Sequence, residues 1–221
     1  MRTLCLLAAA FAGSACLQLK EEDLANARTR AAVDSIRASR EHVPVAESVP
    51  EPTAPPPRTR PSPLPTPAAP SSAASDVESL KRTLVVPVQG VKRDQLIDSF
   101  EDARGSSRKH EAIDIPAPRG TPVLSASDGK ILRRFTSKAG GLMIYATDRA
   151  GRFILMYAHL DRYAESAVDG KEVKAGETIG YVGTTGNAPP NVPHLHFAIA
   201  RADSGSWWRG TPINPYPLLR R

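Results

Sequence analysis

Five polar residues of this 221-residue chain have the types and spacing that metal-dependent hydrolysis requires. They lie in three short runs: His110-x-x-x-Asp114, His159, and His194-x-His196. A catalytic zinc ion takes three imidazole or carboxylate ligands and keeps one position open for water. Two imidazoles and one carboxylate meet that need and leave the ion able to activate water and polarise a carbonyl. Each histidine alone would be an ordinary core or surface residue, so the indication comes from the combination.

The pattern around the last run predicts a strand that carries a site on one face. Side chains alternate between the two faces of a strand, so His194 and His196 share one face. Leu195 and Phe197 then form the opposite face, which packs into the core. A similar polar pair, Tyr157 and His159, belongs to a separate predicted strand.

The same alternation applies to the other two runs. It predicts that His110 and Asp114 point one way along an extended segment, with Ala112 between them. It also predicts that Tyr157 and His159 share one face of a second strand. Three strands would thus present polar side chains to one surface, which is how a sheet builds a site.

Short apolar runs bounded by turn residues predict a mainly β fold, an antiparallel β-sheet domain that covers residues 84–217. Few helical periods occur after residue 104. The predicted strands are 122–126, 129–135, 142–147, 153–159, 177–182 and 194–200.

The motifs and their order resemble those of the LytM/lysostaphin-type zinc metallopeptidases, which are peptidoglycan endopeptidases. The resemblance rests on the following runs: His110-Glu-Ala-Ile-Asp114-Ile, Gly120-Thr121-Pro122-Val123, Asp128-Gly129, Tyr157-Ala158-His159-Leu160, residues 176–183, and Pro193-His194-Leu195-His196-Phe197. It covers residues from about 84 to 217. It implies an antiparallel β-sheet metallopeptidase domain with peptidoglycan as the substrate.

By that resemblance, Zn²⁺ is held by His110, Asp114 and His196, while His194 and His159 are the catalytic histidines. A water activated at the metal would attack the peptide carbonyl, with His194 as general base and His159 stabilising the oxyanion. The sequence leaves open which of these two histidines has which role.

Two other functions are compatible with a domain of this kind. Some relatives have lost ligands and act as non-catalytic activators of cell-wall amidases, but the five-residue set is complete here. The run 173–180 resembles a turn of lipoyl-type carrier domains, but no modifiable lysine sits at the tip of the turn with the expected flanking residues. The loop 187–193 is rich in proline, and Trp207-Trp208 follows later. This tryptophan pair either stacks on sugar rings or packs at the domain edge.

The N-terminus predicts export. Residues 1–16 combine a positive start, a short apolar run and small residues before Cys16, which resembles a signal peptide with a bacterial lipobox. Lipidation of Cys16 would anchor the chain to a membrane, and in a Gram-negative cell to the outer membrane, facing the periplasm. Gly13 departs from the usual leucine, so ordinary cleavage after Ala15 and an exported soluble protein is the alternative.

Two segments separate this N-terminus from the predicted catalytic domain. Residues 17–42 are charged and helix-prone, which predicts a solvated spacer. Residues 43–80 form a Pro-rich linker, predicted to be disordered, and positions 43–75 hold 11 of the 21 prolines. The formal charge of +6 favours anionic partners. No basic run with interleaved aromatic residues is present, so nucleic acid is not an expected partner.

Overall fold

The computed structural model describes residues 73–104, 108–203, 205–206 and 208–221. The predicted signal segment 1–16, the spacer 17–42 and linker residues 43–72 lie outside the described residues, as does Trp207. Within the described part of the chain, no helix is both long and apolar enough to cross a membrane.

Short strands make up most of the described structure, with a helix near each end. The elements are α1 (Ala73–Thr83), a 3₁₀ turn (Arg93–Gln95), β1 (Ala103–Arg104), β2 (Arg108–Lys109), β3 (Ile113–Pro116), β4 (Pro122–Leu124), β5 (Gly129–Ser137), β6 (Gly141–Asp148), β7 (Phe153–Tyr163), β8 (Glu172–Val173), β9 (Thr178–Val182), β10 (His194–Arg201), β11 (Thr211–Ile213) and α2 (Tyr216–Leu219).

Nine of these strands form one antiparallel sheet, whose central order is β11-β10-β7-β6-β5-β8. Strand β10 pairs with β7 along one edge. Its other edge is shared, because β3 pairs with its first half and β11 with its last three residues. Strand β9 joins the end of β7 to β4. Strands β1 and β2 form a separate hairpin.

The mainly antiparallel β fold confirms the predicted fold class, and each predicted strand overlaps an observed one. Strands β5, β6 and β7 are longer than predicted. Strand β7, for example, continues past His159 to Tyr163. The strands β1, β2, β3, β8 and β11 have only two to four residues each, too few to show an alternating pattern.

Helix α1 belongs to the packed domain, although most of it lies within the segment predicted to be linker. Leu80 of this helix and Leu84 beyond it are buried in the main core. Asp76, also buried, forms ion pairs with Arg152 and with Arg201, the latter at 3.2 Å. The packed unit therefore includes residues from 73 onward and does not begin at 84.

We expect Asp76→Ala to lower the free energy of unfolding by about 3 kcal/mol, because it leaves two arginines without their buried carboxylate. Glu78→Ala, on the same helix, is the matched control. Glu78 is exposed and pairs with Lys81 at 3.7 Å, so its loss should cost less than about 0.5 kcal/mol. Urea denaturation measures both variants. Equal losses would show that Asp76 does not fasten α1 to the sheet.

Candidate metal centre

The pairing of β10 with β3 brings His196 next to Asp114. His196 lies opposite Asp114 of β3 and opposite Ala158 of β7. Leu195 and Phe197 are fully buried in the main core, as the alternation predicts. The face of β10 that carries His196 is therefore turned away from this core and toward the site.

His110 reaches the site by a different route from the one predicted. Strand β3 begins only at Ile113, and Glu111 has a φ of +55°. The left-handed conformation at Glu111 breaks the extended run, so the prediction of one strand carrying both His110 and Asp114 was wrong. The side chains still meet, with His110 Nε2 3.2 Å from Asp114 Oδ1.

His159 also departs from the predicted alternation. The ring of Tyr157 packs on Phe197 in the main core, whereas the ring of His159 lies beside the rings of His194 and His196, at 5.0 and 5.6 Å. The two residues therefore face opposite sides of the sheet, and the prediction that they share a face was wrong. His159 has a φ of +60°, and the register of β6 with β7 shifts between Leu142 and Ile144. This bulge redirects the His159 side chain to the site.

Three ligand atoms converge in the site. His110 Nε2 lies 2.9 Å from His196 Nδ1, and Asp114 Oδ1 lies 3.2 and 3.3 Å from these two nitrogens. Ligand atoms bonded to one tetrahedral zinc ion at 2.0–2.1 Å would be about 3.3 Å apart. The three residues therefore have both the chemistry and the spacing to hold such a metal ion.

Backbone carbonyl groups set the tautomers of the other two histidines. His159 Nδ1 lies 2.8 Å from the Thr185 carbonyl oxygen, and His194 Nδ1 lies 2.8 Å from that of Val192. A carbonyl oxygen only accepts hydrogen bonds, so each Nδ1 must donate one. In the neutral rings, each Nε2 then holds the lone pair that a general base needs.

Both of these carbonyl groups belong to the loop that joins β9 to β10. Its first part is fixed to the sheet by Thr185, whose hydroxyl donates to the Leu160 carbonyl at 2.6 Å and accepts the Leu142 N–H at 3.0 Å. The second part of this loop is the proline-rich stretch 187–193. The structure adds that this loop orients both His159 and His194.

Burial and charge favour the protonation states that bind metal. Burial raises the pKa of Asp114, but hydrogen bonds and the charges of His110 and His196 outweigh it and hold that pKa well below its usual value. Burial lowers the pKa of His196 and lowers that of His159 to about 3, with further help from neighbouring histidines. An ionised carboxylate beside neutral imidazoles is the form in which these groups coordinate a metal.

Two residues that support the ligands were not identified from the sequence. The Ser99 carbonyl oxygen accepts the Nδ1–H of His110 at 2.9 Å, and the Ser99 hydroxyl oxygen accepts the backbone N–H of Asp114 at 3.2 Å. Arg104 donates from Nη2 to Asp114 Oδ2 at 3.0 Å, while Oδ1 faces the histidines. Both lie in a polar stretch without alternation, so no pattern marked them.

A groove of about 250 Å³ opens beside the ligands along β10. Tyr145, Ile154 and Met156 form its apolar floor, on the face of the sheet opposite the main core. His110 and His196 line one part of it. A polypeptide bound in this groove would pass His110 and His196, two of the three candidate ligands.

Three convergent ligand atoms beside two further imidazoles form the kind of site that metal-dependent hydrolases use. Residues 108–215 match the model of Peptidase family M23. The chain therefore carries a domain of peptidase family M23, which confirms the resemblance drawn from the sequence.

The chain is also similar to individual proteins. The chain is 32% identical over 167 residues to the cell division protein DipM of Caulobacter vibrioides, covering 76% of this chain and 26% of DipM. It is 34% identical over 129 residues to the L-Ala–D-Glu endopeptidase of Bacillus subtilis, covering 55% and 38% of the two chains. The solved catalytic domain of lysostaphin from Staphylococcus simulans is 32% identical, with 57% and 90% covered and a TM-score of 0.49. The chain thus spans well under half the length of these two curated relatives.

We expect Arg104→Gln to weaken the binding of Zn²⁺, used as the probe ion, by about 10- to 100-fold, because the Asp114 carboxylate loses the group that orients it. Arg104→Lys should recover part of the affinity. Arg108→Gln is the matched control, since Arg108 is exposed and pairs with Arg104 across the same hairpin. Competition with a chromogenic chelator measures the affinities. An unchanged affinity in Arg104→Gln would mean that the Arg104 contact does not support the ligand.

Proposed function

We propose that the protein is a zinc-dependent endopeptidase that hydrolyses peptide cross-links of peptidoglycan. The observation that carries the proposal is the convergence of His110 Nε2, Asp114 Oδ1 and His196 Nδ1 within 3.3 Å of one another. In this proposal these three atoms hold the ion, and His194 and His159 act on the substrate.

Zinc is supported by the donor set, since two imidazoles and one carboxylate leave the fourth tetrahedral position for water. When bound there, zinc supplies a Lewis acid that polarises a carbonyl and lowers the pKa of a coordinated water. His110 and Asp114 side chains are almost completely buried, whereas that of His196 is 18% exposed. Substrate would therefore approach from the His196 side, where the groove opens.

The two remaining histidines supply the proton chemistry. With Nδ1–H fixed by the Val192 carbonyl, His194 can accept a proton from the attacking water at Nε2 and return it to the leaving amine. His194 Nε2 lies 3.7 Å from Asp114 Oδ1, which places this nitrogen beside the ligand set. His159 is the second imidazole at the site and would stabilise the oxyanion by a hydrogen bond from Nε2. That role requires a proton on Nε2, against the burial that lowers the pKa of this ring. The exchange of these two roles is equally compatible with the geometry.

Peptidoglycan as the substrate is supported by the family and by the named relatives. One relative is an L-Ala–D-Glu endopeptidase, and a peptide linkage to a D-amino acid is a feature of bacterial cell-wall peptides. The competing function, a non-catalytic activator of cell-wall amidases, requires no intact ligand set. The complete set of five residues favours the hydrolase.

Two variants of the full-length protein should distinguish the loss of zinc from the loss of turnover. Asp114→Ala should lose both zinc and peptidase activity, because each ligand carries much of the binding free energy. His194→Ala should keep zinc but lose turnover by a factor of about 10² or more, the usual size of a general-base contribution.

Atomic absorption and release of soluble fragments from purified peptidoglycan measure the two quantities. Loss of zinc in His194→Ala would show that a ligand and a catalyst were exchanged. An Asp114→Ala protein that still cleaves peptidoglycan would rule out the proposed centre. A zinc-loaded wild type that cleaves no peptidoglycan, yet stimulates a cell-wall amidase, would establish the activator function instead.

We also propose that the enzyme works in the cell envelope from an acyl anchor at Cys16, with residues 17–72 as the connection to the domain. Leu17 is not acidic, so the segment after Cys16 carries no acidic retention signal, which favours the outer membrane. A proline-rich chain stays extended, at roughly 3.1 Å per residue. Peptidoglycan is immobile and the anchor is fixed, so the length of this connection would determine whether the domain reaches its substrate.

Cys16→Ala should move the protein from the membrane to the soluble fraction without changing its zinc content. Deletion of 43–70, which leaves α1 intact, should impair cross-link cleavage in cells while leaving turnover of soluble peptides unchanged. Cell fractionation and the two cleavage assays test both variants. A membrane-bound Cys16→Ala protein would exclude the anchor, and slower turnover of soluble peptides by the deletion variant would exclude the spacer role.

A further inference from the structure

Trp208 is an exposed aromatic side chain on the wall of the groove beside the metal centre. Among the described residues, Trp208 and Val168 are the two large apolar side chains that remain exposed, at 48% and 46%. Trp208 lines the same groove as His110 and His196. An exposed tryptophan that lines a groove offers a ligand a large, flat, amphipathic ring face.

The loop that carries Trp208 is closed at its base. The Asp203 carboxylate accepts hydrogen bonds from the Thr211 backbone N–H and hydroxyl, at 3.3 and 2.6 Å. Gly210 passes directly against β10, since a Cβ atom there would lie 1.9 Å from the Arg201 carbonyl oxygen. Trp208, two residues before Gly210, is therefore held beside the end of β10 and not on a distant part of the surface.

The length of β10 between His196 and this loop indicates which part of a bound substrate the loop would meet. The groove follows β10 from His196 to Ala200, which pairs with Pro212 just after the loop. Four residues of antiparallel strand span about 13 Å. A peptidoglycan stem of about four residues in extended form covers a similar length, and it ends at an amino sugar of the glycan strand. With the scissile bond at the metal centre, the sugar would lie next to Trp208.

We propose that Trp208 stacks on an amino-sugar ring of the glycan strand, so that the enzyme recognises the sugar as well as the peptide. This inference rests on the proposed function. The indole offers a flat apolar face to the axial C–H groups of the ring, and Arg209 lines the groove beside it and brings hydrogen-bond donors for hydroxyl and acetamido groups. An apolar side chain of the peptide is the competing occupant.

The test compares two forms of one cross-linked peptide, with a disaccharide on each stem and with the sugars removed. The full-length, zinc-loaded wild type, Trp208→Ala, Trp208→Phe and Val168→Ala are assayed on both. We expect Trp208→Ala to raise KM about tenfold for the disaccharide form, with kcat unchanged, and to change KM less than twofold for the sugar-free form. Trp208→Phe should give an intermediate value, and Val168→Ala should match the wild type.

Turnover of the sugar-free peptide also shows that each variant is folded. An equal rise in KM for both forms would mean that Trp208 contacts the peptide, and no rise for either would mean that it contacts neither; both results overturn the inference. If the wild type cleaves neither form, the proposed function fails, and fluorescence titration with the free disaccharide then decides the stacking separately. Saturable quenching in the wild type that is lost in Trp208→Ala supports stacking, and identical titrations overturn it.

Discussion

Strand β10 pairs with two neighbours at the same positions, and this double pairing determines where the functional side chains lie. His196 faces Asp114 on one side and Ala158 on the other. A shift of one residue in either ladder would turn His196 into the core and bring Leu195 to the surface. The fully buried Leu195 and Phe197 oppose that shift, because exposing them would cost about 1.5–3 kcal/mol each. Core packing on one face of β10 thus maintains the geometry on the other.

Around this strand, the remaining groups are held by backbone that is not regular. The left-handed residues Glu111 and His159 redirect two imidazoles, and the loop carbonyls of Thr185 and Val192 fix two ring tautomers. Left-handed conformations of residues other than glycine are unfavourable and persist where the surrounding structure enforces them. Both left-handed residues lie at or next to a histidine of the site. The site therefore depends on the packed sheet around it, and not on the local conformational preference of these residues.

The electrostatic environment of the site, like its geometry, favours coordination of a cation. Burial lowers the pKa of His159 and His196, while Arg104 and the ligand histidines stabilise the ionised form of Asp114. An ionised Asp114 beside a neutral His196 is the form in which these two groups coordinate a cation.

The sequence predicted which residues would lie close together better than the way in which they meet. Alternation along β10 was sufficient to assign His196 to one face and Leu195 to the other, since a long central strand follows its pattern closely. The same rule failed at His159, because a bulge depends on pairing with the neighbouring strand and cannot be recognised from the sequence of one strand. It failed at His110 for a similar reason, the left-handed Glu111. Helix α1 was missed because short helices are stabilised by packing, here through Leu80.

Supporting groups were the hardest to predict, because their roles come from contacts between distant segments. Ser99 acts through a carbonyl and a hydroxyl, and Arg104 reaches Asp114 from a hairpin of two-residue strands. Neither residue type nor spacing marks such contacts in advance. The loop carbonyls that orient His159 and His194 carry no sequence signal at all, since every residue has a carbonyl group.

The central claim is that His110, Asp114 and His196, and not the other two histidines, hold the metal. Anomalous X-ray diffraction from zinc-loaded crystals, collected at the zinc absorption edge, tests it most directly. We expect one peak at about 2.0–2.2 Å from His110 Nε2, Asp114 Oδ1 and His196 Nδ1, with no bond to His159 or His194. A peak bonded to His194 Nε2 or His159 Nε2 in place of any of these three atoms would contradict it.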